Sequence, residues 1–151
     1  MISQSEQVKI DQIAFVVDDP VVTGQQLLDI ANKRPADQYL IYQVLQTGQM
    51  EGIRPDETID LRKPGIERFL TFASDRAFFF TLDGRKFEWA ASAISGRKLK
   101  DLAGINEPLT YEVWQEVRGS DDRAIGDRDF VSLDSPATER FFTGKKTTTE
   151  G

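Results

Sequence analysis

Cysteine and histidine are both absent from the 151 residues. Their absence removes disulfides, thiolate and imidazole metal sites, cysteine nucleophiles and imidazole bases in one step. Any chemistry would have to come from Asp, Glu, Ser or Tyr, yet no nucleophile is paired with a base and no glycine loop is built to cradle phosphate. The chain is read as a non-enzyme that needs no cofactor. No apolar run approaches the ~18 residues of a membrane span, and the opening Met1-Ile2-Ser3-Gln4-Ser5-Glu6-Gln7 has no charged leader before an apolar core. The expected location is the cytoplasm. Positive charge is in deficit, with 19 Lys and Arg against 25 Asp and Glu and a net charge of −6. That balance argues against nucleic acid or an anionic membrane as partner, since both need clustered cations. The acidic runs Asp18-Asp19, Asp121-Asp122, Asp127 and Asp129 lack the ligand spacing of a calcium loop and read as solvated turns, so no metal is expected. Lys145-Lys146 is a solubilising pair, too small for a basic patch.

What is present is enough to fold: 39% hydrophobic and 29% charged residues are ordinary for a globular protein. The dominant pattern is an internal repeat. Residues 8–71 match residues 80–143 at a constant offset of 72, with 15 identities in 64 pairs. They include Asp11/Asp83, Gly24/Gly96, Leu27/Leu99, Tyr39/Tyr111, Ile53/Ile125, Phe69/Phe141 and Thr71/Thr143. Two copies at so long a period indicate a duplicated domain rather than a solenoid.

The second copy carries the clearer signals. Phe78–Leu82, the turn Asp83-Gly84 and Arg85–Trp89 read as a hairpin, because Asp-Gly reaches positive φ at low cost. Ser95 caps a short helix, with Ile94 and Leu99 as a hydrophobic staple and Gly104 as its left-handed stop. The first copy repeats the start at Thr23, but lacks that glycine, and its helix is expected to run on to about Lys33 before Pro35. Tyr111–Val117 alternates as a strand, Ile125 and Phe130–Leu133 give short apolar contacts, and Glu139–Thr143 is a last strand. One helix must then cover one face of a mixed sheet. The expected fold is α+β: two tandem β-grasp domains at residues 8–72 and 78–143, joined by a linker at 73–77, with a flexible N-terminus at 1–7 and a tail at 144–151.

The Asp-Gly hairpin, the run Ile94-Ser95-Gly96-Arg97-Lys98-Leu99-Lys100-Asp101-Leu102-Ala103-Gly104-Ile105 and the ending Glu139-Arg140-Phe141-Phe142-Thr143 resemble the bacterial multiubiquitin domain. The first copy keeps Val22-Thr23-Gly24, Leu27, Ala31 and Ile66-Glu67-Arg68-Phe69-Leu70-Thr71 of that pattern. The resemblance implies a ubiquitin-like modifier from a bacterial operon, with E1-like and E2-like enzymes and a JAB-type peptidase as partners and a role in phage defence. It further implies that the modifier is activated at its C-terminal carboxylate and transferred to a target protein, supplying no catalytic group itself.

The segment after Thr143 has no apolar residue with which to order itself and is expected to be mobile. Gly151 is the candidate conjugation residue, with an ordinary frayed terminus as the other reading. Strand alternation with Ile41 and Leu45 inward sends Leu40, Tyr42 and Val44 outward, next to Leu70 and Phe72. In the second copy Trp114 and Phe142 fall on the equivalent face beside Glu112 and Glu116. These residues form a candidate partner surface, although packing between the copies would also explain them. An unpaired edge strand on either copy is a route to self-association. Two function classes therefore stand together: a conjugated modifier, and a non-conjugated binding or self-assembly module.

Overall fold

A computed structural model describes residues 6–63 and 66–146, the side chains of residues 66 and 67 excepted. The chain divides into two compact units between Arg76 and Ala77.

The first unit opens on the hairpin β1 (Glu6–Ile10) and β2 (Ile13–Val17), in the register Val8 opposite Phe15 and Ile10 opposite Ile13. Its turn places both Asp11 (φ 51°) and Gln12 (φ 69°) in the left-handed region. Asp83 (φ 51°) and Gly84 (φ 80°) do the same in the second unit, so the two hairpins share one turn geometry although only one has the Asp-Gly signal. Next come β3 (Val21–Thr23) and α1 (Gly24–Ile30). Thr23 and Gln26 form a reciprocal capping box: the Thr23 hydroxyl accepts from the Gln26 N–H at 3.1 Å and the Gln26 side chain accepts from the Thr23 N–H at 2.8 Å.

The helix does not reach Lys33. Asn32 takes φ 60°, and the Lys33 N–H closes back on the Leu28 carbonyl at 2.8 Å, which is a left-handed stop of the kind Gly104 (φ 76°) makes in the second unit. Asparagine tolerates that conformation, so the missing glycine left no longer helix. A 3-10 turn at Ala36–Gln38 leads into β4 (Tyr39–Leu45), β5 (Met50–Ile53), β6 (Thr58–Asp60) and β7 (Ile66–Ala73). The main sheet has the order β2-β1-β7-β4-β5 with β1 and β7 parallel and its other pairs antiparallel.

The second unit repeats the plan with β8 (Phe78–Leu82), β9 (Arg85–Trp89), β10 (Ala93–Ser95), α2 (Gly96–Leu102), a 3-10 turn at Pro108–Thr110, β11 (Tyr111–Gln115), β12 (Arg123–Ile125), β13 (Phe130–Ser132) and β14 (Glu139–Lys145). Its sheet order is β9-β8-β14-β11-β12, with β8 and β14 parallel. Each unit is thus a mixed five-stranded sheet with one helix, the β-grasp plan expected from the sequence. Each also has a two-stranded ribbon that the sequence did not signal, β3 with β6 and β10 with β13.

Four boundaries differ from the sequence expectation. β11 stops at Gln115 instead of Val117, and β14 takes in Gly144 and Lys145, which were assigned to the tail. Likewise Glu6 and Gln7 belong to β1 and Ala73 to β7.

The core lies on the helix side of each sheet. In the first unit Val8, Ile10, Leu27, Leu28, Ile41, Ile53 and Phe69 are buried together. In the second, Phe80 stacks on Phe87 at 5.5 Å and meets Phe141 edge-on at 5.7 Å. Gly24 and Gly96 are glycines because the facing loop leaves no room for a side chain: a Cβ would lie 2.5 Å from the Arg54 carbonyl oxygen and 2.2 Å from that of Gly126.

Candidate interaction surface and carboxyl-terminal strand

The face of the first sheet turned away from the core brings together four of the five residues singled out there. Leu40 stands opposite Phe72 and Tyr42 opposite Leu70, and the Tyr42 and Phe72 rings meet at 5.9 Å and 74°. All four are half-buried. Burial pushes the Tyr42 hydroxyl pKa up. Val44 does not join an open patch, for it is only 2% exposed. The register sets the longer side chains of Met50 and Arg68 directly across from it on either side, and Met50 is itself 3% exposed. Alternation fixes the face a residue occupies, not whether its neighbours close over it.

In the second unit Trp114 stands opposite Phe142, the register of Tyr42 and Leu70. Phe142 is exposed and Trp114 half-buried. Phe142 lines an open hollow of about 410 Å³ with Thr81, Gly84, Glu116 and Arg140. Glu116 and Arg140 are exposed and 3.9 Å apart, too loosely held to count for much.

A second exposed apolar element escaped the sequence reading. β2 is an edge strand with the composition Ile-Ala-Phe-Val-Val, and Ile13 and Val16 are 60% and 70% exposed. Its counterpart β9 carries Arg85, Lys86 and Glu88, and the Lys86 ammonium covers the exposed Phe79 ring at 4.8 Å. The absence of charge along β2 was the available signal.

The last strand of each unit is tied to the hairpin turn by an aspartate. In the second unit the Asp83 carboxylate accepts from the Thr143 N–H at 2.8 Å and from its hydroxyl at 2.7 Å, while the Asp83 N–H donates to the Phe141 carbonyl at 3.0 Å. Asp11 makes the same three bonds with Thr71 and Phe69 in the first unit. These identities of the repeat are explained by the clamp. β14 continues past it, with Gly144 opposite Glu112 and Lys145 opposite Tyr111, and the Lys146 N–H donates to the Thr110 carbonyl at 2.8 Å. Gly151 lies outside the described residues.

Charge inside the second unit is concentrated at one place. Lys100 is 3% exposed; its ammonium lies 2.6 Å from the Asp127 carboxylate and donates to the Pro108 carbonyl at 2.7 Å. Arg97 approaches the same carboxylate at 3.6 Å. Sequence reasoning missed this pair, although the offset of 72 aligns Lys100 with an apolar Leu28 and so marks it as an inward position. The other acidic residues do turn work: Asp19 accepts from the Val21 N–H and Asp129 from the Gly126 N–H. Among the described residues no group of three or more acidic side chains is placed to hold a metal ion, and no helix there is long and apolar enough to cross a membrane. Among the described residues the Asp60 carboxylate is held well below its usual range, at about 2, by hydrogen bonds from the Arg62 side chain and then the Arg62 N–H.

A family model described as Multiubiquitin matches residues 6–74 and again residues 78–146. No curated protein matches the chain.

Proposed function

Because the chain belongs to the multiubiquitin family through both of its units, we propose that this ubiquitin-like β-grasp protein is a protein modifier of a bacterial ubiquitination-like pathway. E1-like and E2-like partners activate its C-terminal carboxylate, with Gly151 the candidate residue, and transfer it to a nucleophile on a target protein. A JAB-type peptidase reverses the link, and phage defence is the setting. The chain is the substrate of these steps and contributes no catalytic group.

The observation that carries the reading is the match of both units to this family. The geometry supports it through β14, an inner strand of its sheet between β8 and β11, whose position the Asp83 clamp fixes to the hairpin turn. Whatever follows Lys146 therefore starts from a fixed base. The test is co-expression with E1-like and E2-like proteins and intact-mass analysis of the other proteins in the cell. A covalent addition of this chain that disappears on deleting residues 147–151 is expected. No addition in the presence of demonstrably active enzymes would overturn the modifier reading.

One observation favours a second reading, a non-conjugated assembly module. The uncharged, exposed edge of β2 is a template for strand addition from another molecule. Light scattering at high concentration is expected to show self-association that Val16→Lys weakens; a strict monomer removes this reading.

A further inference from the structure

The last strand of each unit is followed by a residue tethered to a 3-10 turn, and the two turns differ. In the first unit the Ser74 N–H donates to the Gln38 carbonyl at 3.0 Å. In the second, at the equivalent positions, the Lys146 N–H donates to the Thr110 carbonyl at 2.8 Å. The second turn has a further hold from the helix. Its Pro108 carbonyl accepts from the Lys100 ammonium at 2.7 Å, and Lys100 is itself fixed to Asp127 at 2.6 Å. The Thr110 N–H and hydroxyl also close on the Glu107 carbonyl at 3.0 and 2.7 Å. The first unit has Leu28 and Pro55 at the places of Lys100 and Asp127, so its helix offers no cation there.

The residue at the middle of the turn differs as well. It is Asp37 in the first unit, exposed to solvent, and Leu109 in the second. Leu109 is 71% exposed, more than any other large apolar side chain among the described residues, while its turn neighbours Pro108 and Tyr111 are half-buried. Asp37 shows that the fold accepts a charge at this place, so packing does not require a leucine. An exposed apolar side chain on a backbone already fixed loses little further freedom when a partner covers it. The leucine stands one residue from the Thr110 carbonyl that tethers Lys146, where the chain leaves the second unit.

We infer that Leu109 is the apolar contact by which the activating enzyme engages this chain, seated in an apolar pocket of that enzyme beside the point where the C-terminal segment leaves the fold. The inference rests on the modifier reading and names the surface that reading uses. Position selects the partner: an enzyme that takes up the C-terminal carboxylate must approach the end of β14, and the turn lies against it. The first unit presents the Asp37 carboxylate at the same place, so one copy docks and the other does not.

The test uses the full chain, its E1-like partner and ATP. Adenylation joins a carboxylate oxygen of the chain to the α-phosphorus of ATP and releases pyrophosphate, which is measured against chain concentration. Leu109→Asp, which installs the first unit's residue, is expected to raise the half-saturating concentration about tenfold and to leave the maximal rate and the urea midpoint unchanged. Leu109→Ser is expected to act in the same direction, which separates a lost apolar contact from an introduced charge. Leu109→Met is expected to behave as the wild type, and so is Asp37→Ala. No pyrophosphate from the wild-type chain would overturn the modifier reading and this inference together. Activation of the wild type with Leu109→Asp and Leu109→Ser indistinguishable from it would overturn the inference alone, as would a lowered maximal rate at unchanged half-saturation. Unchanged activation with slower release by the peptidase, or with a changed mass in light scattering, would give Leu109 to the peptidase or to a second copy and overturn it too.

Discussion

Thr143 holds Asp83 by both its backbone N–H and its hydroxyl, and the aspartate in turn sits in a left-handed turn at φ 51°. A hydrogen bond to a charged acceptor is worth about 1.5–3 kcal/mol when shielded and less at an exposed site like this one. Thr143→Val keeps the shape and the N–H bond but loses the hydroxyl, so the second unit is expected to lose about 1 kcal/mol, read as a lower urea midpoint. Asp83→Ala loses both bonds and places alanine at positive φ, and is expected to cost more, about 2–4 kcal/mol. Equal midpoints for the two variants and the wild type would show that the clamp is decorative. Asp60 gives a pH prediction of the same scale. Its pKa in the folded chain is about 2 against an ordinary 3.8, set first by the Arg62 side chain and then by the Arg62 N–H. A depressed carboxylate stabilises above its unfolded pKa, and this contribution is lost as pH falls from about 4 through about 2. NMR titration is expected to place the Asp60 midpoint near 2 and to move it up toward 3.8 in Arg62→Ala; an unmoved midpoint would remove Arg62 as the cause.

At the scale of elements, local signals and packing are legible to different degrees in the sequence. The hairpin at Asp83-Gly84, the Ser95 cap and the stop at Gly104 are written in single residues whose backbone preferences decide the structure, and all three are present. The turn at Asp11-Gln12 and the stop at Asn32 use residues that merely tolerate positive φ, so no local preference announces them; only the repeat register does. Lys100 is the reverse case: a charge that reads as solvent-exposed is buried because Asp127, 27 positions on, comes to it. Tertiary pairing of that kind has no periodicity to find, and the same holds for Val44, whose cover comes from other strands. The candidate site was therefore legible as a face, through Leu40, Tyr42, Leu70 and Phe72, but not in how its neighbours close over Val44. The buried pair predicts its own test. Lys100→Ala leaves Asp127 largely enclosed without its cation, and is expected to cost about 2–3 kcal/mol, below the full ~3–5 of a wholly buried pair because Asp127 is 20% exposed. Lys100→Leu with Asp127→Pro copies the first unit and is expected to recover most of that loss in a denaturation midpoint. A double variant as unstable as the single one would mean that the ion pair, not the enclosed lone carboxylate, carries the stability.

The whole molecule contains two cores with separate memberships, each closed by its own helix and sheet, and this duplication lets each be perturbed alone. Leu27 and Leu99 are equivalent, and both are fully buried. Truncating either to Ala is expected to cost about 2–5 kcal/mol, with the cavity term setting the place in that range. The sequence supplies an unusual reporter: its two tryptophans, Trp89 and Trp114, both belong to the second unit. Intrinsic fluorescence therefore follows the second unit alone, while far-ultraviolet circular dichroism follows both. Leu99→Ala is expected to lower the fluorescence midpoint in urea. Leu27→Ala is expected to leave that midpoint in place and to split the dichroism transition into an early step and a late one. If Leu27→Ala moved the fluorescence midpoint as far as Leu99→Ala does, the units would be folding as one cooperative body, and surface variants in the first unit would have to be judged against their effect on the second. If the midpoints separate, each unit's surface can be altered without disturbing the other, which is the condition a duplicated domain needs for its copies to share a core plan while their surfaces diverge.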